Sequence, residues 1–156
     1  MAIYIEQYKR MLRYYERFEG INEGRSHSKA SEFYDDDVYA FFQNCYHLKD
    51  WIKSDPDCNS WSCVEQFINE NREMRICADL CNVLKHCSLI RSRSGDSPNF
   101  SGSHIDLEIS ESASEPTSVK IAIKYKVSSS GGELEDAFEI ATQCLTLWDA
   151  YIEKQA

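Results

Sequence analysis

A chain of 156 residues with 42 % hydrophobic and 28 % charged side chains is long enough to bury one core, with room for an embellishment. Seventeen Lys and Arg against twenty-six Asp and Glu give a formal net charge of −9, which argues against a general DNA- or RNA-coating protein, because such binding uses many basic groups to displace phosphate counterions. No apolar run approaches the ~20 residues that span a bilayer, and charges run through the opening MAIYIEQYKRMLRYYERF, so a cytoplasmic protein with no membrane partner is expected.

In chain order, residues 3–18 repeat apolar side chains at Ile5, Tyr8, Leu12, Tyr15 and Phe18, a three-four spacing that predicts an amphipathic helix stopped at Gly20. Polar residues 20–30 predict a loop. Ser31 is the expected cap of a second helix, with Asp35, Asp36 and Asp37 complementing its positive end rather than holding a metal. The stripe of that helix is Tyr34, Val38, Phe41, Cys45, Leu48 and Ile52. Tyr39, Phe42, Tyr46 and Trp51 widen it to most of the circumference, which predicts a central helix ended by Ser54-Asp55-Pro56. Ser62 with Glu65 fits a capping box opening a third helix to about His86, with a possible bend at Asn69-Glu70-Asn71.

The period then changes. Ile105, Leu107 and Ile109 alternate with Asp106, Glu108 and Ser110, and Val119, Ile121, Ile123, Tyr125 and Val127 alternate with Lys120, Ala122, Lys124 and Lys126. Strict alternation predicts two half-buried strands, their acids and lysines opposed across an antiparallel pair. Residues 87–93 are a candidate third strand, 92–103 a mobile serine-rich loop, and 110–118 the hairpin link. A last helix is expected from near Gly132, with Leu134, Ala137, Phe138, Ala141, Leu145, Trp148 and Ile152 as its stripe. The expected fold is mainly α: one helical-bundle domain over 1–156, with a small antiparallel β-sheet inserted at about 87–128 before the C-terminal helix.

Seven cysteines, an odd number lying mostly within helical patterns, suit reduced thiols. Cys77, Cys81, His86 and Cys87 form one cluster to test for metal. Their spacing matches no zinc knuckle or ribbon, and Cys77 and Cys81 share a stripe with Leu84, so core packing is preferred and no metal or cofactor is expected.

Two features carry possible chemistry. On the third helix Arg75, Asp79, Asn82 and His86 share one polar stripe, bordered by Lys85; on the second, Gln43, His47 and Asp50 form a similar ridge. Arg, Asp, Asn and His in a row can orient a proton-transfer histidine or hold a phosphate and a base edge. An ordinary solvated helix face is the simpler reading, although Asn and His are poor helix formers and the Glu–Lys pairs of idle faces are missing. The second feature is a cationic island, Lys85, His86, Arg91 and Arg93, in a chain acidic elsewhere. It suits a compact anion such as a nucleotide, and equally suits dipole complementation or edge-strand protection. No G-x-S-x-G, P-loop, G-x-G-x-x-G or H-E-x-x-H signature is present.

Tyr46-His47-Leu48-Lys49-Asp50-Trp51-Ile52 and Asp79-Leu80-Cys81-Asn82-Val83-Leu84-Lys85-His86 resemble the HLKDW and D-x-x-N-x-x-K-H words of small bacterial and phage proteins. Over residues 33–90 the pattern is similar to the helical bundle of HEPN-like proteins. The resemblance implies nucleotide handling, a setting in phage–host conflict, and a homodimer with the third-helix stripe near a second subunit. The R-x4-6-H pair of HEPN ribonucleases has no counterpart here, since Arg75 lies too far before His86 and His47 has no arginine in range. The leading expectation is therefore a binding protein for a small anion, a nucleotide or nucleotide-derived signal. Lys85, Arg91 and Arg93 would contact phosphate, His86, Asn82 and Asp79 would bond base or ribose, and Trp51 or Tyr46 would stack. The alternatives are a ribonuclease or other hydrolase with His86 or His47 as base, oriented by Asp79 or Asp50, and an antitoxin-like or anti-defence module that binds a protein partner.

Overall fold

The computed structural model describes residues 2–24, 32–87, 91–114 and 117–155. Helices α1 (Tyr4–Glu23) and α2 (Glu32–Ser54) are followed by a 3-10 turn at Pro56–Cys58, then by α3 (Val64–Glu70) and α4 (Arg72–His86). Strands β1 (Asn99–Ser110), β2 (Ser118–Ser128) and β3 (Leu134–Asp136) precede α5 (Ala137–Glu153). The expected order, helices, a small antiparallel sheet and a closing helix, is the one observed.

Helix α2 is central, as its apolar circumference requires. Tyr34, Val38, Phe41, Phe42, Cys45, Leu48 and Ile52 are all buried against neighbours on several sides. Phe18 of α1 reaches Phe41 and Phe42 of α2, Tyr125 of β2 and Phe138 of α5, with ring centroids 5.2–6.3 Å apart. Fully buried Trp148 of α5 donates its indole N–H to the carbonyl of Cys45 at 3.1 Å, so its polar atom is satisfied in the interior. Each such ring adds ~1.5–3 kcal/mol by leaving water.

Several local expectations change. Helix α1 continues through Gly20 and ends at Gly24, whose φ of 95° fits the absence of a Cβ. Its buried line is Gln7, Met11, Phe18 and Ile21; Ile5, Tyr8, Leu12 and Tyr15 lie half-buried beside it, because α1 packs against α2 and α5 at once. Buried Gln7 is satisfied by Asn44, to whose backbone and side-chain oxygens it donates at 3.0 Å, and by Arg10. The expected cap Ser31 lies outside the described residues. Buried Asp55 ties the end of α2 to the start of α1, accepting from the backbone N–H groups of Tyr4 and Asp57 at 3.0 Å.

The third helix is two, α3 and α4, broken at Asn71, which has extended backbone and donates its side-chain amide to the Phe67 carbonyl. The Ser62–Glu65 capping box does not form: the N-cap is Cys63 without a side-chain bond, and Glu65 turns instead toward Arg93, Lys49 and Lys53.

The sheet order is β1-β2-β3, and its third strand is Leu134–Asp136, not 87–93. Residues 88–90 lie outside the described set, and 91–98 form no strand. Glu108 faces Lys120 across the β1–β2 ladder, as the opposed charges predict. Leu134 is exposed in β3 rather than on the stripe of α5. That helix begins at Ala137, with Asp136 accepting from the N–H groups of Phe138 and Glu139.

Candidate functional site

Three pieces of chain meet where α4 hands over to the sheet. Tyr46 comes from α2, Asn82 from α4, and Arg91, Ser92 and Arg93 from the loop before β1; together they line a cavity of about 440 Å³. That volume lies within the ~300–1,000 Å³ range of small-ligand sites.

The wall is held by Asp79. Its side chain is fully buried, and its two oxygens accept from the Ser92 hydroxyl (2.9 Å), the Arg93 N–H (2.7 Å), the Ser94 N–H (2.8 Å) and the Ser94 hydroxyl (2.6 Å). The Ser92 hydroxyl in turn accepts from the N–H of Gly95 at 2.9 Å. A carboxylate taking several short bonds from one peptide turn fixes that turn, since charge-assisted bonds are about twice as strong as neutral ones. The serine-rich segment expected to be a mobile loop is therefore pinned at residues 92–94, and from Asn99 onward it is strand. Asp79 is neither on a solvated face nor free for a ligand: its oxygens are consumed by the loop.

The cations near the cavity are partly committed. The Arg93 guanidinium donates to Glu65 at 2.7 Å and to the Tyr46 hydroxyl at 3.1 Å. Lys49, nearly buried, sits between Asp50 (2.7 Å) and Glu65 (3.3 Å), and Lys53 is 3.2 Å from Glu65. The Lys49 ammonium is also 4.9 Å from the centroid of the Tyr46 ring, and the Arg93 guanidinium carbon 6.0 Å. Burial favours the neutral acid at Glu65, but Arg93, Lys53 and Lys49 outweigh it and hold this carboxyl down at about 2. Arg91 is exposed on the cavity wall, and among the described residues it joins no ion pair.

Other expected site residues fall elsewhere. Lys85 and His86 are exposed at the end of α4 and are not among the lining residues. Trp51 is half-buried with the Arg10 guanidinium 5.5 Å from its ring centroid, so it belongs to the α1–α2 contact and cannot stack over this cavity. Arg75 donates to the Asn69 carbonyl. Asp50 is taken by Lys49 and Asp79 by the loop, so neither carboxylate orients His47 or His86 as a general base. His47 instead lies 3.7 Å from the sulfur of Cys81, bridging α2 and α4. Burial, with Cys45 nearby, pushes the Cys81 thiol up to about 11, which leaves it protonated and unsuited to nucleophilic attack.

The Cys77, Cys81, His86 and Cys87 grouping does not assemble, since His86 and Cys87 are exposed while Cys77 and Cys81 are buried. Cys77 gathers instead with Cys45 and Cys144, all three sulfurs within 4.8 Å of one another. The Cys77 thiol donates to the Phe42 carbonyl and the Cys144 thiol to the Glu73 carbonyl, both at 3.4 Å, as satisfied core thiols do.

Sequence reasoning passed over Tyr46 as a hydrogen-bonding partner, Ser92 as a loop staple, and Lys49 and Glu65 as the ionic floor. Lys49 within the apolar arc of a central helix was the available signal, because a lysine there must find carboxylates. Comparison with protein-family models, curated proteins and solved structures found no match for this chain.

Proposed function

We propose that the protein binds a small anionic ligand, of the nucleotide class, in the cavity between α2, α4 and the 91–94 loop. The observation that carries this reading is the convergence of Tyr46, Asn82, Arg91 and Arg93 on one polar cavity of about 440 Å³. In it Arg91 and the free N–H groups of Arg93 take the phosphate. Asn82 supplies paired donor and acceptor atoms for a base or ribose edge, and the Tyr46 ring supplies an aromatic surface. Two arginines on one small cavity, in a chain of net charge −9, suit a compact anion and offer little to a long polyanion. The resemblance of residues 33–90 to HEPN-like bundles supports the same class.

Anion binding here competes with Glu65 for Arg93, so affinity rises when that carboxylate is removed. Thermal melts with AMP, ADP, a cyclic mononucleotide and pyrophosphate test the reading. A ligand at a hundred times its Kd adds about 2.7 kcal/mol, a rise of roughly 5–10 °C in a chain of this size. The rise should vanish in Arg91→Ala and Asn82→Ala and grow in Glu65→Gln. No rise with any of the four, or an unchanged rise in both alanine variants, overturns the proposal. The hydrolase reading has no comparable support, because neither candidate histidine has a carboxylate partner among the described residues.

A further inference from the structure

Strand β1 divides at a bulge. At its base Phe100 packs on Tyr39 and Phe42, with ring centroids 4.9 and 5.7 Å away. The register then shifts between Phe100 and Gly102, and Gly102 has a φ of 122° that suits glycine alone. Beyond the bulge every residue from 101 to 110 is exposed. Ile105, Leu107 and Ile109, on one face, are 57 %, 65 % and 62 % exposed, and Val119, opposite Ile109, is 43 % exposed. The opposite face of the same strand carries His104, Asp106 and Glu108. In the order β1-β2-β3 this strand is one edge of the sheet, and among the described residues one row of its backbone N–H and C=O groups has no strand beside it. Long, apolar, exposed edges are usually blunted by lysine, proline or a covering element. Beyond its bulge this edge has no lysine and no proline.

We propose that β1 is a docking edge for an extended segment of another protein in which basic and apolar residues alternate, added as an antiparallel strand beside residues 103–110. The chain displays this complementarity within its own sheet at Glu108, while Asp106 faces Ala122. Across from Ile105, Leu107 and Ile109, strand β2 offers Ile123, Ile121 and Val119, while Lys120 faces Glu108. A strand on the free side meets the same apolar row, with Glu108 and with Asp106, which His104 already approaches at 3.0 Å, so a lysine or arginine belongs opposite Glu108 first and opposite Asp106 second. A second copy of this chain is a poor occupant. Antiparallel pairing of two β1 strands about Leu107 sets Asp106 against Glu108 twice; pairing about Ile105 sets His104 against Asp106 instead but joins fewer residues of the exposed row, and every register brings together molecules each carrying a net charge of −9. This surface is separate from the anion cavity, and the two proposals stand or fall independently.

The test uses the full chain and three labelled eleven-residue peptides: one alternating Lys with Ile or Val, one with every Lys replaced by Glu, and one with the lysine peptide's composition scrambled to break the alternation. Fluorescence anisotropy should show saturable binding of the alternating lysine peptide, at least tenfold tighter than either of the others. The variant D106K/E108K, checked for an unchanged circular dichroism spectrum, should reverse the preference toward the glutamate peptide. Leu107→Lys should weaken binding at least tenfold, and so should N-methylation of alternate peptide amides on the lysine peptide. Equal binding of alternating and scrambled peptides would reduce the effect to net charge and overturn the proposal. So would saturable binding of none, or a homodimer on gel filtration that Leu107→Lys dissolves.

Discussion

Replacing Asp79 by alanine removes the buried carboxylate that fastens residues 92–94 of the cavity's loop to α4. Four hydrogen bonds are lost, but the Ser92 and Ser94 hydroxyls are only half-buried and recover water. The two backbone N–H groups of Arg93 and Ser94 lose a charged acceptor, at about 1.5–3 kcal/mol apiece. Because the loop can detach and hydrate, the lower end applies, a total of about 3 kcal/mol. For a chain of this length that lowers Tm by roughly 6–12 °C. Asp79→Asn keeps the shape yet turns an amide N–H₂ toward donors, so it should lose nearly as much. Thermal melts followed by circular dichroism give the first reading, and amide hydrogen exchange at Arg93 and Ser94 the second. Both amides should lose protection in the variants while those in the middle of α2 keep theirs. A fall of less than about 2 °C in both variants, with exchange at 93 and 94 unchanged, would refute the idea that this carboxylate builds the cavity wall.

Glu65, held at about 2 against about 4.3 in an unfolded chain, contributes stability that is fully present above pH ~4.5 and is lost as pH falls toward 2. Urea midpoints from pH 7 to pH 3 should therefore drop less steeply in Glu65→Gln than in the native protein, and parallel curves would contradict the ionic floor. A thiol reagent should label two cysteines quickly in the folded protein, Cys63 and Cys87, and the other five only on unfolding; fast labelling of Cys81 would show that the α2–α4 seam is open. Gly24→Ala should cost about 1 kcal/mol or more by urea denaturation, because φ is 95° and an added Cβ would lie 3.4 Å from that of Ala122; an unchanged midpoint would show that α1 does not end as described.

The parts legible in the sequence are those that periodicity encodes. The six-residue stripe of α2 is buried as a unit because every member lies on one side of a 3.6-residue turn, and the Ile105–Ile109 and Val119–Val127 alternations became strands in register. Alternation did not reveal that the apolar face of the far half of β1 is exposed, since a period reports which face is apolar and not whether anything covers it. Gly20 looked like a helix stop, but propensity at one residue is weaker than the packing of Ile21 beneath it. The start of α5 could have been placed better, because Asp136 with Glu139 three residues on is itself a capping pattern. At the candidate site, Asn82, Arg91, Arg93 and Tyr46 line one cavity. Lys85, His86 and Trp51 do not, because the helical wheel gives a direction but no distance to the loop that closes the cavity. Asp79 was visible as an odd polar residue, yet its partners lie 13–15 positions away in a segment without periodicity.

The most direct measurement is a titration of the isotope-labelled protein with ADP, followed residue by residue through its backbone amide and side-chain N–H resonances. Saturable shifts should gather at Asn82, Arg91, Ser92 and Arg93 and be lost in Arg91→Ala. Shifts that never saturate, or that gather instead at Arg10 and Arg13 on α1, would contradict an anion site where α4 meets the sheet.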